Sequence, residues 1–358
     1  MGWVSSAGEF VDRFEHDIAR CVGVNHGIAT VNGTAALHTA LIIAGIEPDD
    51  EVLVSDLTFV APVNAIRYMG AWPVLIDAEP EHWQMDFGKV AEFLTQNCYW
   101  QDGELRNAKS HRRIRAILPV HILGHPVDMD PIRELARKYG LIVIEDASES
   151  LGAIYKKNFV GDLGHIACFS FNANKVITAG GGGAIVTNIG ALAEKARYLA
   201  TQAKDDSVEY IHNEIGYNYR LTNMPAAMGV AQLERLQEHL KAKKRIAQSY
   251  RDELAAVNGL SFPAESPYAE STWWLFTIRV DAKKYGMDSR QLMRKLQRVS
   301  IQSRPLWRPM HMLKPFADCQ ACGGEIAEKL HRECLSLPCS VGLEDDELKR
   351  VVEVIRER

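Results

Sequence analysis

Short apolar segments alternate with stretches of helical periodicity along the first half of the chain, and this alternation constrains the fold more than any other feature. Residues 131–139 have the apolar spacing of a helix, and residues 141–144 form a continuous apolar run. A continuous run predicts a strand that is buried on both faces. Strands that alternate with helices predict an α/β fold, with a mainly parallel central sheet covered by helices.

The pattern changes near residue 235. Residues 223 to about 254 predict one long helix, which we expect to link two lobes. Beyond it, strand-like and helix-like segments follow in a looser order, as in a small α+β domain. We therefore predict a large domain over residues 1–235, with the linking helix starting near 223, and a small domain over residues 236–358. The polar residues 99–113 predict an irregular surface excursion.

Composition excludes several classes of function. The 358 residues are 47% hydrophobic and 24% charged, with a formal net charge of -5 and no long basic run, which argues against nucleic-acid binding. No apolar run reaches the roughly 18 residues of a membrane helix. Seven cysteines and no signal peptide predict free thiols in a cytoplasmic protein. Cys319 and Cys322 are followed by irregularly spaced Cys334, in a predicted helix, and Cys339, so we predict no metal site.

A lysine and an aspartate carry the chemistry that the sequence suggests. Lys175 follows the apolar segment 166–171 and precedes four glycines at residues 180–183. A lysine among apolar groups can lose its proton near neutral pH and attack a carbonyl. Asp146 follows the strand at 141–145, at the edge where α/β sheets bind ligands. Its carboxylate could keep a pyridinium nitrogen protonated, or could simply cap the residues that follow.

Other residues could hold a phosphate and a ring. Gly33 and Thr34 open a helix after the strand at 26–31, and the amides of a helix start bind phosphate, although a plain N-cap explains the same residues. Ser170 could reach the same phosphate with its hydroxyl. Phe59 begins a helix at the sheet edge and could stack on a ring, or could belong to the core. A strand follows the glycine run, so the run is no dinucleotide fingerprint.

These pieces, in this order, resemble the DegT/DnrJ/EryC1/StrS family of sugar aminotransferases. Members of that family are pyridoxal-phosphate enzymes with the aspartate-aminotransferase (type I) fold. The resemblance covers nearly the whole chain. It rests on the glycines at 180–183 and on GWVSSAG at 2–8, NGTAAL at 32–37, LTFVA at 57–61, VHILG at 120–124, EDA at 145–147, FSFNANK at 169–175 and GYNYRLT at 216–222.

The resemblance implies a role for each candidate residue. Lys175 would hold pyridoxal 5'-phosphate as a Schiff base and carry a proton between cofactor and substrate. Asp146 would pair with the pyridine nitrogen and Phe59 would stack on the ring. The residues implied to hold the phosphate are Gly33, Thr34 and Ser170.

Three further implied residues concern the substrate and a second subunit. Asn218 and Arg220 would reach into the partner's site, so the resemblance implies an obligate homodimer with shared active sites. His311 is similar to a histidine on the substrate side.

Family members generally carry a further segment before the stretch that residues 2–8 match. We therefore expect either a truncated start or a member without that arm.

One residue departs from the family pattern. Glu149 stands where the family usually has a glutamine that touches the ring oxygen of the cofactor. A carboxylate beside a phenolate-like oxygen is repulsive unless the two share a proton. Glu149→Gln should therefore change the pH dependence of the cofactor's absorbance. Residues 145–152 and 171–175 look most like the subgroup that aminates UDP-4-keto-6-deoxy-N-acetylhexosamines in the bacillosamine and legionaminic acid pathways.

The implied activity is transfer of an amino group from glutamate, which leaves as 2-oxoglutarate, to a nucleotide-linked 4-keto-6-deoxy sugar. The product would be a 4-amino sugar for a surface glycan. Alternatives are a sugar 3-aminotransferase, a dehydratase of the same fold, and a non-catalytic regulatory protein of that fold. Lys175 argues against the dehydratases, which carry histidine there. The missing dinucleotide fingerprint argues against a nicotinamide-dependent oxidoreductase.

Overall fold

A computed structural model describes residues 4–5, 8–206 and 208–357, so most of the stretch 2–8 lies outside the described residues. The helices are α1 Glu9–Val22, α2 Gly33–Ile43, α3 Ala61–Tyr68, α4 Phe87–Gln96, α5 Met129–Tyr139, α6 Gly190–Ala200, α7 Asn223–Leu233, α8 Leu236–Leu254, α9 Ala282–Tyr285, α10 Ser289–Arg298, α11 Glu325–Glu333 and α12 Asp345–Arg356. The strands are β1 His26–Thr30, β2 Glu51–Ser55, β3 Trp72–Ile76, β4 Cys98–Gln101, β5 Glu104–Asn107, β6 Ile114–Leu118, β7 Ile142–Asp146, β8 Ile154–Tyr155, β9 Asn158–Phe159, β10 Ile166–Ser170, β11 Gly183–Thr187, β12 Leu260–Ser261, β13 Ala269–Glu270, β14 Phe276–Val280, β15 Arg304–Pro305, β16 Gln320–Cys322 and β17 Cys334–Leu337.

An eight-stranded sheet in the order β1-β11-β10-β7-β6-β2-β3-β16 forms the centre of the described chain. The pairings from β10 through β7, β6, β2 and β3 to β16 are all parallel. β11 is antiparallel to both of its neighbours, so β1 runs in the same direction as β10. The predicted α/β class with a mainly parallel sheet is confirmed.

Both faces of the sheet are covered, as the continuous apolar runs predict. Neighbouring residues of β7 show this, because Val143 belongs to one apolar core and Ile144 to the other. Phe14 of α1 packs into the first core and Leu37 of α2 into the second. Each face of the sheet is therefore covered by its own helices, as expected for a chain in which strands and helices alternate.

The linking helix is two helices rather than one. Arg235 has φ -105° and ψ 5°, outside the helical region, and it separates α7 from α8. No glycine or proline marks this break, and its reason is packing. Leu236 is buried in a core of the large sheet, whereas Ile246 and Tyr250 pack into a third core around β14 and β17. The break lets the segment serve both cores.

The C-terminal part contains a second sheet, in the order β12-β14-β17-β15, against which α10 and α12 pack. Cys334, expected in a helix, begins β17, because α11 ends one residue earlier. β16 leaves this region and pairs in parallel with β3 of the large sheet. The division near residue 235 stays a prediction, and β16 crosses it.

Residues 98–107 form the hairpin β4–β5, where an irregular excursion was expected. Leu105 of this hairpin is buried, so the segment is anchored to the core by one apolar side chain among polar ones. Among the described residues, no helix has both the length and the apolar character needed to cross a lipid bilayer.

Candidate active site

The candidate residues gather at one edge of the large sheet. β7 ends at Asp146 and β10 ends at Ser170, and these two strands are parallel neighbours. Gly183, the first residue of β11, pairs with Ser170 on one side and Thr30 of β1 on the other. This is the edge at which open α/β sheets bind ligands.

The glycine run packs against the chain that leaves β1. A Cβ atom at Gly183 would lie 2.5 Å from the carbonyl carbon and oxygen of Asn32. No side chain fits at that distance, so glycine is needed for the close approach. The run thereby brings the segment after β10 next to the start of α2.

The start of α2 and the end of β10 form a small corner. The side chain of Asn32 caps α2 by accepting the N–H of Ala35 at 2.8 Å. A Cβ atom at Gly33 would lie 2.8 Å from Cβ and 3.2 Å from Oγ of Ser170. The first-turn N–H groups of Gly33 and Thr34 have no acceptor within a helix. Amides, a hydroxyl and the positive end of a helix dipole together suit an anion.

Lys175 lies in the loop after β10 with its side chain largely buried. Its Nζ is 3.5 Å from Oε1 of Glu149 and 3.9 Å from the ring centroid of Trp274. The indole nitrogen of Trp274 donates to the carbonyl oxygen of Asn174 at 2.7 Å. Trp274 therefore fixes the residue before Lys175 and covers its amine. Sequence reasoning missed this residue, because nothing in the local pattern near 274 relates it to a loop 100 residues away.

Asp146 is buried, with 4% of its surface exposed. Burial raises the pKa of its carboxyl, while the N–H of Ser148, 3.0 Å from Oδ1, and the charge of Lys175 oppose that rise. A buried carboxyl of this kind is readily ionised by a cation placed against it. The residue is thus suited to pair with a protonated ring nitrogen.

Glu149 lies beside Lys175 and is 5% exposed. Its Oε2 accepts the N–H of Leu123 at 2.7 Å, so Oε1 is the oxygen that faces Lys175. Burial, reinforced by the charge of Asp146, raises the pKa of Glu149 to about 7, against the opposing effects of Lys175 and Leu123. The glutamate can therefore exchange a proton near neutral pH.

A fully buried pair supports this edge from behind. His121 Nδ1 accepts the N–H of Val127 at 3.0 Å, so its Nε2 carries the hydrogen and donates to Glu145 at 3.1 Å. Glu145 also accepts N–H groups of Gly161 and Leu163. These bonds anchor Glu145, the residue before Asp146.

Phe59 and His311 lie near the end of β2. Phe59 follows that strand by four residues and is 55% exposed, so its ring can be covered by another group. His311 Nδ1 is 2.6 Å from Asp56 and its Nε2 is 3.3 Å from Glu328. Burial lowers the pKa of His311, but the two carboxylates outweigh burial and the net shift is upward. The two carboxylates therefore favour the protonated form of His311.

Arg220 lies beside β1, an edge strand of the large sheet, and Asn218 lies beside the end of α6. The backbone of Arg220 pairs with Thr30 and that of Asn218 with Thr201. Nη2 of Arg220 donates to Asp12 at 3.3 Å, and its buried Nε has no partner. In the described part of this chain, neither side chain is hydrogen-bonded to Lys175.

Within the described residues, no group of three or more His, Cys, Asp or Glu side chains is arranged to hold a metal ion. The cysteines at 319 and 322 are free thiols.

The profile of the DegT/DnrJ/EryC1/StrS aminotransferase family matches residues 1–356. The chain belongs to this family. It is 40% identical over 354 residues to the GDP-perosamine synthase of Caulobacter vibrioides, an alignment that covers 99% of this chain and 91% of that protein. It is 35% identical over 355 residues to the GDP-perosamine synthase of Escherichia coli O157:H7, covering 99% and 92% of the two chains.

A solved structure of the same kind confirms the fold. The chain superposes on S. venezuelae DesV, crystallised with a ketimine intermediate, with a TM-score of 0.88 and 32% identity over 99% of this chain and 90% of that one. The DegT/DnrJ/EryC1/StrS resemblance and the aspartate-aminotransferase fold are thus confirmed. The protein is a pyridoxal-phosphate-dependent nucleotide-sugar aminotransferase.

The site fits the cofactor of the family. Because Gly33 has no Cβ, the backbone at the start of α2 packs directly against the side chain of Ser170, which places that hydroxyl beside the first-turn amides of the helix. The buried carboxyl of Asp146 and the amine of Lys175 lie close enough for the lysine's charge to act on the aspartate. Phosphate, ring nitrogen and aldehyde each have a group of matching chemistry.

Proposed function

We propose that this enzyme transfers the amino group of glutamate to the 4-keto carbon of a nucleotide-linked 6-deoxy sugar. The observation that carries the proposal is the buried amine of Lys175, held between Glu149 and the face of Trp274 at the edge where Asp146 and the start of α2 meet. The relatives support the sugar class, because a GDP-perosamine synthase is named for an amino sugar linked to GDP.

Each candidate residue has a role in this proposal. Bound pyridoxal phosphate supplies an electrophilic carbon and an electron sink, and it carries the amino group between the two half-reactions. Lys175 would carry a proton between the reacting carbon of the substrate and the cofactor. Asp146 keeps the ring nitrogen protonated, and Phe59 covers the ring. The phosphate is held by Gly33, Thr34 and Ser170.

The sugar nucleotide has two candidates that share the 4-keto-6-deoxy ring. The names of the two relatives support a GDP-linked sugar. The motifs around Glu149 and Lys175 support UDP-2-acetamido-4-keto-2,4,6-trideoxyhexose, which differs in the nucleotide and at the second carbon. In either case, the amino sugar would serve surface-glycan synthesis.

We further propose a homodimer whose two sites share residues. Large apolar side chains lie exposed near Asn218 and Arg220, among them Ile215 at 83% and Met224 at 66%. Exposed apolar residues of this size are typical of surfaces that another chain covers. Arg220 would then lie at the boundary between the two protomers and act in the second protomer's site.

Absorbance spectroscopy tests the proposed function. Protein reconstituted with pyridoxal phosphate should show a visible band, glutamate should bleach it, and the correct keto-sugar nucleotide should restore it. The GDP-linked and UDP-linked sugars are offered in parallel. Lys175→Ala should remove the band, whereas Lys244→Met, which alters an exposed lysine, should leave it unchanged.

Two outcomes contradict the proposal. A band that survives Lys175→Ala removes the lysine from its role. Protein that binds the cofactor but shows no spectral change with glutamate would favour the non-catalytic alternative.

A further inference from the structure

Two side chains on one face of α8 restrain the loop that contains Lys175. His239 and Lys243 are four residues apart on this helix, so their side chains point in the same direction. Both are buried, with exposed fractions of 8% and 6%. Neither has a role in the proposed function, and both line a cleft that Lys175 also lines.

Lys243 is a buried lysine with neutral partners. Its Nζ donates to the carbonyl oxygens of Trp274 at 2.7 Å and Cys339 at 2.5 Å. Among residues 8–206 and 208–357, no carboxylate forms an ion pair with it, and burial lowers its pKa. Burying a lysine is costly unless its donors are satisfied, so these two carbonyls hold the side chain in one place.

The two carbonyls belong to the ends of paired strands. Trp274 precedes β14 and Cys339 follows β17, and Phe276 of β14 pairs with Leu337 of β17. The thiol of Cys339 also contacts the carbonyl oxygen of Trp274, at 3.5 Å. Lys243 thus ties α8 to the point where the chain enters β14.

Trp274 passes this restraint on to the loop. Its backbone is held by Lys243, its indole N–H holds the carbonyl of Asn174, and its ring covers the amine of Lys175. Its ring also stacks on Trp307, with 6.2 Å between centroids and 10° between planes. A shift of the Trp274 backbone would therefore displace both contacts with the loop.

His239 restrains the other side of the same loop. Its Nδ1 lies 3.1 Å from the carbonyl oxygen of Val176, and it must carry the hydrogen because a carbonyl only accepts. Asn174 and Val176 flank Lys175. One turn of α8 therefore reaches the residue after the lysine directly, and the residue before it through Trp274.

We propose that Lys243 is a positioning residue, which holds Lys175 in its working orientation by fixing the backbone of Trp274. This inference rests on the proposed role of Lys175 as the reacting amine. Orientation of a reacting group is worth large rate factors, so a loosened Trp274 should slow reaction at Lys175 without altering how tightly substrates bind.

Four variants and one control test the proposal. Lys243→Met keeps the length of the side chain and removes both hydrogen bonds, and Lys243→Gln keeps N–H donors without charge. Trp274→Phe keeps a ring beside Lys175 and loses the bond to Asn174, and it is combined with Lys243→Met in a double variant. Lys244→Met removes the charge of the neighbouring exposed lysine.

Two rates are measured. The first is the return of the visible band when pyridoxal phosphate is added to cofactor-free protein. The second is the single-turnover rate with glutamate, together with the glutamate concentration that gives half the maximal rate.

Lys243→Met should slow both rates about tenfold and leave the half-saturating glutamate concentration within about twofold. Lys243→Gln should recover part of the loss, and it replaces the methionine variant if that protein does not fold. The double variant should be no slower than the slower of its two single variants, because both changes act through position 274. Lys244→Met should behave as the wild type.

Wild-type rates in Lys243→Met would overturn the proposal. Effects of Lys243→Met and Trp274→Phe that multiply in the double variant would overturn it too, because they would show independent actions. Loss of the band in Lys175→Ala is measured alongside. If that band persists, the proposed function fails, whatever the Lys243 variants do.

Discussion

The two oxygens of Glu149 have different environments. Oε2 accepts the N–H of Leu123, so a proton on this carboxyl is placed on Oε1, which faces Lys175. Leu123 is held at φ 59°, a left-handed conformation that is rare for leucine. Glu149 thus stabilises an unfavourable backbone turn while leaving one oxygen for proton exchange at the site.

Replacing Glu149 with glutamine should remove a pH-dependent component of stability. Burial raises the pKa of Glu149 from 4.5 to about 7, so between these values the folded state holds a proton that the unfolded chain releases. The stabilisation is complete below 4.5 and is lost as pH rises through 7, a change of about 3 kcal/mol. Urea unfolding of cofactor-free protein should show a smaller decline over this window in Glu149→Gln than in the wild type.

The pKa of Asp146 is also raised, so its titration contributes to the stability profiles of both proteins. Glu353→Gln, on the exposed side of α12, serves as the control and should keep the wild-type profile. The cofactor's absorbance should lose a transition near neutral pH in Glu149→Gln. Identical stability profiles and identical absorbance titrations in wild type and variant would contradict this assignment.

At the scale of elements, the contact between the start of α2 and the end of β10 shapes the site. Gly33 lies against Ser170 with no room for a further carbon atom. The constraint is steric rather than conformational, because the backbone of Gly33 is helical.

Gly33→Ala should therefore destabilise the protein by about 1 to 3 kcal/mol, as overpacking of a rigid contact does. The added Cβ would lie 2.8 Å from Cβ of Ser170, which cannot rotate away. A lower unfolding temperature and faster loss of bound cofactor on dialysis are the expected results.

The double variant Gly33→Ala with Ser170→Gly removes the opposing atom, so it should unfold at the temperature of Ser170→Gly alone. Gly190→Ala is the matched control, because its Cβ would meet only Nε2 of His26, at 3.6 Å. A double variant as unstable as the sum of both changes would show that the clash is not the cause.

Element prediction from sequence succeeded where the apolar pattern was strong. The strands predicted over residues 141–145 and 166–171 are found at 142–146 and 166–170, because buried runs in a parallel sheet carry a clear signal. The break at Arg235 and the strand β16 could not be predicted. Arg235 carries no helix-breaking chemistry, and β16 has only three residues, whose pairing with β3 depends on a partner far away in the chain.

On the scale of the whole molecule, the site was predictable only in part. Asp146 stands at the end of a strand with a clear apolar pattern, and the parallel topology brings such strand ends together. Trp274 and Lys243 carry no local signal, because their contacts join segments that are 31 and 100 residues apart. The roles of Asn218 and Arg220 depend on a second protomer and stay predictions.

Mixing of inactive variants tests the shared sites. If Arg220 acts in the partner's site, Lys175→Ala and Arg220→Ala are each inactive, but a mixed dimer contains one intact site. Random reassortment of the two should restore about one quarter of wild-type activity, since half of the dimers are mixed and half of their sites are complete. In the control experiment, Arg245→Ala takes the place of Arg220→Ala. Arg245 is exposed on α8, so this variant should be active without mixing.

No recovery after mixing, with mixed dimers verified by mass, would place Arg220 in its own protomer's site. Recovery without formation of mixed dimers would contradict the shared-site arrangement equally.

The pairing of β16 with β3 has a consequence for synthesis on the ribosome. β3 lies inside the finished sheet only because residues 320–322 return to it from near the end of the chain. Until those residues emerge, β3 is an open edge with unpaired N–H and C=O groups, which invites pairing with other chains. The nascent large sheet is therefore most exposed to aggregation while the last third of the protein is being translated.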